Sequence, residues 1–371
     1  MNSTRKKILF ISTISILVLI EFFSMFLMYK SSNNKDNIIL ENVVLKETQE
    51  IPDGIAIMIE TYRGYEESTT NTWPEDMIIN KTLSGCIDGN GNKLEDALSF
   101  DNGIVNISTS NTAHCYLYFY KPSLGEYLTT YPTNGFVLED NADMYRYQGI
   151  QGDVDNYICF GTTNQERCIE ESDKFMYRII GVEIATNRLK LIKDYELDFG
   201  IPYGNYIEGV AGWEGSIVKE NINTSFLEND IPTGWSTIIS DNTWSYNLIS
   251  SEVLLDSSPI DIHILENDGL TVEAKIGLMN ISDYQYSTTL PRNCAVEDCL
   301  SWMYKGYEEW TMTALSEDEA WGINSDGNIT SYLTSAELNI RPVFYLLSDE
   351  PYTSGSGTSD DPFILEQPVS E

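Results

Sequence analysis

The chain has 371 residues, 42% of them hydrophobic, with 22 Lys and Arg against 57 Asp and Glu, six Cys and two His. A net charge of −35 excludes nucleic acid, because phosphate binding needs clustered bases, and it equally excludes docking on an anionic lipid face. Two His exclude a His-rich metal site, 12% aromatic content excludes a compositionally disordered chain, and the length predicts about two folded units.

Arg5, Lys6 and Lys7 precede an apolar run from Ile8 to Tyr29. As a helix it spans roughly 33 Å, the thickness of a bilayer core. No small-residue cleavage site follows Met25-Phe26-Leu27-Met28-Tyr29, so an uncleaved anchor over 8–29 is expected. The basic cluster places residues 1–7 in the cytoplasm and the rest of the chain outside, as a single-pass cell-membrane protein. Glu21 interrupts the span, and an acid there invites a functional reading. Prepilins carry such a Glu, but near the start of the segment and just after a Gly. Glu21 lacks that context, so pilin-like assembly stands only as an alternative.

Residues 30–50 are polar (Ser-Ser-Asn-Asn-Lys-Asp-Asn at 31–37) and read as a stalk. Short strands follow over 51–122. Ile55–Ile59, the start at Met77-Ile78-Ile79, a hairpin from Phe100 to Ile107 turning at Asp101-Asn102-Gly103, and Cys115–Tyr120 together predict a small β-sandwich-like module. Residues 123–145 read as a connector with one short helix at Leu124–Thr129. A second domain runs over 146–366. Tyr177–Val182 and Leu189–Ile192 predict a hairpin around Thr186-Asn187, while Ile217, Ile222, Phe226 and Leu227 share a helix face. Trp310–Thr313 and Trp321–Ile323 are strand-like, and Asn324-Ser325-Asp326-Gly327 supplies a tight turn. Leu338–Leu347 and Phe363–Leu365 close the domain before a tail at 367–371. One helix among many short strands is an α+β signature.

Six cysteines in an exported segment read as three bridges. Proximity pairs Cys159 with Cys168 and Cys294 with Cys299, leaving Cys86 and Cys115 inside the small module. Free buried thiols are the alternative for an organism that does not oxidise its exported proteins. A zinc site would want CxxC knuckles, and the sequence has none.

Several stretches carry a resemblance: Thr72-Trp73-Pro74 with Leu83-Ser84-Gly85-Cys86, Cys115–Phe119, Tyr145-Arg146-Tyr147 with Asn156–Gly161, and Tyr177–Val182 with Leu189–Lys193. Gly277–Tyr284, Trp310–Thr313, Arg341-Pro342-Val343 and Gly357–Phe363 continue it in the same order. On these residues the chain resembles uncharacterised cell-surface proteins of Firmicutes and related gut bacteria. The resemblance implies a small disulfide-bearing β module followed by a C-type-lectin-like domain, distantly similar to the fold of formylglycine-generating enzymes. It brings no established ligand or reaction, and Ser250–Gly269 carries no landmark of it.

The chemistry is sparse. Asp88-Gly89-Asn90-Gly91-Asn92 resembles the start of a calcium loop, but Lys93 and Ser99 stand where an EF-hand needs Gly and an acid, so a hairpin turn is expected. The acid-rich exported part permits calcium without locating it. Gly355-Ser356-Gly357-Thr358 lacks the Lys and helix of a phosphate loop and reads as a turn. His114 sits beside a disulfide cysteine in a strand, and His263, alternating with Ile262 and Ile264, reads as a strand residue rather than a base. In the formylglycine-generating branch a reactive cysteine pair does the chemistry. Cys294 and Cys299 are the nearest counterparts, but Glu297 and Asp298 would raise a thiol pKa, so a structural bridge is expected.

The remaining candidate is Trp302-Met303-Tyr304-Lys305-Gly306-Tyr307-Glu308-Glu309-Trp310, where aromatics beside acids suit a stacking platform for sugar rings. Trp302 and Trp310 could instead anchor the core, which leaves Tyr304 and Tyr307 as the better surface candidates. The expectation is a non-enzymatic, membrane-anchored binding or adhesion protein without a cofactor, whose partner is an extracellular glycan or protein. A degenerate enzyme related to formylglycine-generating proteins is the alternative.

Overall fold

The computed structural model describes residues 43–45, 53–61, 63–70, 72–74, 77–101, 104–108, 113–138, 143–197, 200–204, 212–288 and 301–368. The expected anchor with Glu21, the stalk up to residue 42, and Cys294 and Cys299 lie outside the described residues. Among the described residues no helix is long and apolar enough to cross a membrane. The fold is mixed α/β, dominated by strands in several sheets, and the chain divides into two compact units between Lys121 and Pro122.

In the first unit a six-stranded sheet is built on Ala113–Tyr120, which pairs in parallel with Ile55–Thr61 and antiparallel with Gly85–Asp88. A three-stranded sheet places Ile104–Ile107 between Val43–Leu45 and Leu98–Asp101, the last forming the expected hairpin. Val105 and Ile107 from the smaller sheet share one apolar cluster with Ile55, Ile57, Leu117 and Phe119 from the larger. The ring of Trp73 meets Phe119 edge-on at 4.9 Å. Cys86 lies directly opposite Cys115 in the antiparallel ladder, and the two are joined by a disulfide.

The second unit is organised on a nine-stranded sheet whose central strand is Met176–Glu183. Seven of its eight residues are buried, as expected of an apolar strand covered on both faces. It forms the expected hairpin with Leu189–Lys193, with Asn187 in the left-handed conformation at the turn (φ 59°). A side chain on Gly181 would come within 2.2 Å of the Tyr145 carbonyl, so only Gly lets Met144–Tyr147 pair here. Tyr157–Cys159 and Phe363–Leu365 lie side by side in parallel. A three-stranded sheet, Glu309–Ala314, Glu319–Ile323 and Ile329–Leu333, stands beside two two-stranded ribbons. Cys159 is bridged to Cys168 on the helix Gln165–Glu170.

Four expectations need correction. The stalk expected over 30–50 does not extend that far, because Val43–Leu45 pairs with Ile104–Ile107 as a strand of the first unit. Residues 123–145 are no mere connector: Leu124, Leu128 and Phe136 are buried in the second unit's core. Helices are more numerous than expected, and Asn164, Ser250 and Ser258 each N-cap one, their side chains satisfying first-turn N–H groups that would otherwise be unpaired. His263 lies on the helix Pro259–Asn267, not in a strand. Ser258 and Asp261 form a capping box around Pro259, and that start signal outweighs the Ile262–Ile264 alternation.

The Cys86–Cys115 bridge closes 29 residues of chain, worth roughly 3–4 kcal/mol of unfolded-state entropy. Replacing both cysteines by Ala is expected to cost the first unit about that much. Urea-dependent hydrogen exchange in Ala113–Tyr120 measures it, and unchanged protection would contradict the estimate.

Candidate functional site

Residues 301–310 form a turn whose two ends are anchored in the core. Trp302 and Trp310 are fully buried, and their indole N–H groups donate to the Tyr147 and Ile201 carbonyls at 2.9 and 2.8 Å. Neither presents a face to a ligand, which corrects their place among the surface candidates. Their rings fill the core because the backbone supplies each indole with an acceptor there.

Tyr304 and Tyr307 flank Gly306, which takes the left-handed conformation the turn requires (φ 79°). Both are half-buried and diverge. The Tyr304 hydroxyl donates to the Ser325 carbonyl at 2.7 Å, and its ring packs on Gly327. The Tyr307 hydroxyl is buried towards Arg341, Glu309 and Glu196, and burial pushes its pKa far above that of an ordinary phenol. Two neighbours complete the outer surface. Tyr195 is 42% exposed, with its ring 5.9 Å from the Lys305 ammonium. The exposed Glu308 accepts from the Tyr332 hydroxyl at 3.1 Å. The accessible chemistry is one open tyrosine, the edges of two more, and a carboxylate. Tyr195 has no signal in the sequence beyond following a strand end.

Beneath this surface lies a network of buried charges. Asp194 receives Lys305 at 2.5 Å and stands 3.7 Å from Arg178. The Arg178 guanidinium is sandwiched between Tyr157 and Trp302, 3.7 and 4.9 Å from their ring centres, and donates to Asn156. Burial lowers the pKa of Arg178 and of Lys305. Arg341 makes two 2.8 Å bonds to Glu309 and a third to the Met303 carbonyl. Burial alone would lower the Arg341 pKa, but Glu309, Tyr307 and Asp194 together raise it. Lys305 is thus committed to Asp194, and the turn is fastened from below.

The second cluster surrounds His263. Its Nδ1 lies 3.4 Å from Ser282 Oγ and 3.5 Å from Arg146, and its Nε2 2.8 Å from the Asn267 amide. Proximity of Ser and His suggests a relay, but Ser282 is fully buried. Among the described residues the ring nitrogens of His263 meet no carboxylate, the third member a relay needs. Asp283 is committed to Lys190 at 2.6 Å. Glu266 accepts from the Ile281 N–H and the Thr313 hydroxyl at 2.9 and 2.6 Å, joining two helices to the strand Glu309–Ala314. His114 is buried in its strand, opposite Ile87.

The two loops resolve as turns. Asp88 accepts from the N–H groups of Asn90 and Asn92, both at 2.8 Å, and from the Asn92 amide, which with those N–H groups holds its pKa below the usual range. The N–H groups of Ser356 and Gly357 both donate to the Asp361 carbonyl at 3.0 Å and so are not available to a phosphate. Among the described residues no group of three or more His, Cys, Asp or Glu is placed to hold a metal. Compared with known proteins, the chain matches no family model, no curated protein and no solved structure.

The buried cluster gives stability a signed pH dependence. Burial raises Glu266 from 4.5 to about 7, against the bonds from Ser282 and Thr313. The native state then keeps a proton that the unfolded chain releases, so this contribution is full below pH 4.5 and is lost as pH rises to about 7. His263 runs oppositely. Burial, then Arg146, lowers it from 6.5 to about 4, so its contribution is full above pH 6.5 and is lost as pH falls towards 4. Glu266→Gln is expected to remove a fall on the order of 3 kcal/mol between the lower and upper ends of the Glu266 window. Urea unfolding from pH 4.5 to 7.5 checks this, and parallel curves for variant and wild type would contradict it.

Proposed function

We propose that this protein is a membrane-anchored, non-enzymatic binding or adhesion protein of a bacterial surface. In this reading Ile8–Tyr29 crosses the membrane once, and a stalk from residue 30 leads to the strand Val43–Leu45 of the first unit. A small β-sandwich-like module and a C-type-lectin-like domain are exported beyond it. The observation that carries the reading is a buried disulfide in each of the two units, Cys86–Cys115 and Cys159–Cys168. Such bridges persist in oxidising compartments outside the cytoplasm. The basic-then-apolar N-terminus and the excess of acids are consistent with the same destination.

The ligand surface in this reading is the rim made by Tyr195, Tyr304 and Tyr307 with Glu308. Tyrosine gives large contact area at low entropic cost, and a carboxylate accepts from sugar hydroxyls. Lys305, held on Asp194, stiffens the turn that carries two of the three rings. The ligand is an extracellular glycan or protein.

The full chain in detergent, screened on a glycan array with calcium and with chelator, tests this. Selective binding is expected, weakened about tenfold or more by Tyr195→Ala and by Tyr304→Ala. Loss of binding in chelator would add calcium to the site. Binding that survives both substitutions would move the ligand elsewhere, and no binding in either condition would discard the glycan and leave a protein ligand.

A further inference from the structure

The segment from Leu248 to Leu270 departs from the rest of the second unit. It holds Leu248, Leu255, Ile260, Ile264 and Leu270, five of the twelve large apolar side chains exposed among the described residues. Leu255 and Leu270 are each 69% exposed and Ile264 is 56% exposed. The helix Pro259–Asn267 buries Ile262 and Glu266, on its inner side, with Ile249, Ile281 and Trp321 in the cluster there. Ile260 and Ile264, one turn apart, form an outward stripe. The Asn247 side chain donates to the Leu265 carbonyl, and Leu270 pairs with Tyr246, so the ribbon lies alongside this helix. Leu255 stands on the preceding helix, Ser251–Asp256, so five exposed apolar side chains fall within 23 consecutive residues. Scattered exposed apolar residues need no explanation, but such a concentration does.

The charge around this face is of one sign. No Lys or Arg occurs between Lys219 and Lys275, whereas ten Asp and Glu do. Glu252, Asp261 and Asp268 are exposed beside the apolar side chains. A second copy of a chain carrying −35 would bring like charge to this rim, and an anionic lipid surface would be repelled in the same way. Complementarity therefore requires a partner that is apolar at its centre and cationic at its edge.

We propose that this face docks a cationic amphipathic helix of a partner protein. Its aliphatic or aromatic side chains would cover Leu255, Ile260 and Ile264, and its Lys or Arg residues would meet Glu252, Asp261 and Asp268. This is recognition of an amphipathic helix by an apolar surface with a charged rim. It does not depend on the tyrosine rim and stands whether or not that rim binds sugar.

The test uses the full chain and two fluorescent Leu/Lys peptides of identical composition, one amphipathic as a helix and one permuted so that it is not. Fluorescence anisotropy at physiological salt is expected to show the amphipathic peptide bound about tenfold tighter than its isomer. Leu255→Ser with Ile264→Ser, both exposed and charge-preserving, is expected to abolish that preference and leave the isomer's weak binding unchanged. Glu252→Gln with Asp268→Asn is expected to weaken both peptides. Equal binding of the two peptides by wild type, or a preference that survives the Ser pair, would overturn the proposal. Self-association in sedimentation that the Ser pair dissolves would assign the face to a second copy. Binding to phosphatidylcholine vesicles that the Ser pair abolishes would assign it to lipid. Either result would equally overturn it.

Discussion

The two-fold bond between Arg341 and Glu309 is the contact on which the second unit most depends. Arg341 precedes Val343–Tyr345 in the nine-stranded sheet, and Glu309 opens the three-stranded sheet, so the pair joins the two. A third bond, to the Met303 carbonyl, ties in the turn that carries Tyr304 and Tyr307. Both side chains are almost wholly buried, where the attraction must offset the loss of water from two charges. Arg178, Lys305 and Asp194 extend the arrangement to the central strand. The cost of these buried charges is why the partners must be placed so closely.

That commitment of bases to the interior sets the character of the surface. Of the eleven described Lys and Arg of the second unit, five (Arg146, Arg178, Lys190, Lys193 and Arg341) are buried. With so few left outside, the exposed acids are largely unopposed. The tyrosine rim and the apolar face of residues 248–270 therefore both sit in a negative field. For the first, the proposed ligands are neutral and rich in hydroxyls. For the second, the proposed partner carries cations on an apolar helix.

Much of the strand content was legible because the signals are local. Tyr177–Val182 is apolar enough to be a central strand, Thr186-Asn187 marks its turn, and Asp326-Gly327 marks another. The cysteine spacings sufficed to pair Cys159 with Cys168 and left Cys86 with Cys115. The helix at Pro259–Asn267 was misread because Ile-x-Ile alternation imitates a strand, although Ser258, Pro259 and Asp261 already spelled a helix start. The charge network was not legible at all. Arg178 sits in a strand, and its partners lie at Asp194, Tyr157 and Trp302, brought together only by the sheet. For the same reason the candidate site shifted from Trp302, which stacks on Arg178, and Trp310, which packs on Tyr203 and Tyr332, to the exposed Tyr195.

A double-mutant cycle on Arg341 and Glu309 tests whether this joint holds the second unit together. Arg341→Met and Glu309→Leu, made singly, each strand one buried charge and are expected to cost roughly 3–5 kcal/mol in urea unfolding. Made together they replace the pair by apolar contacts, and most of that loss is expected to return. Single variants close to wild type, or a double variant whose loss equals the sum of the two, would contradict the account.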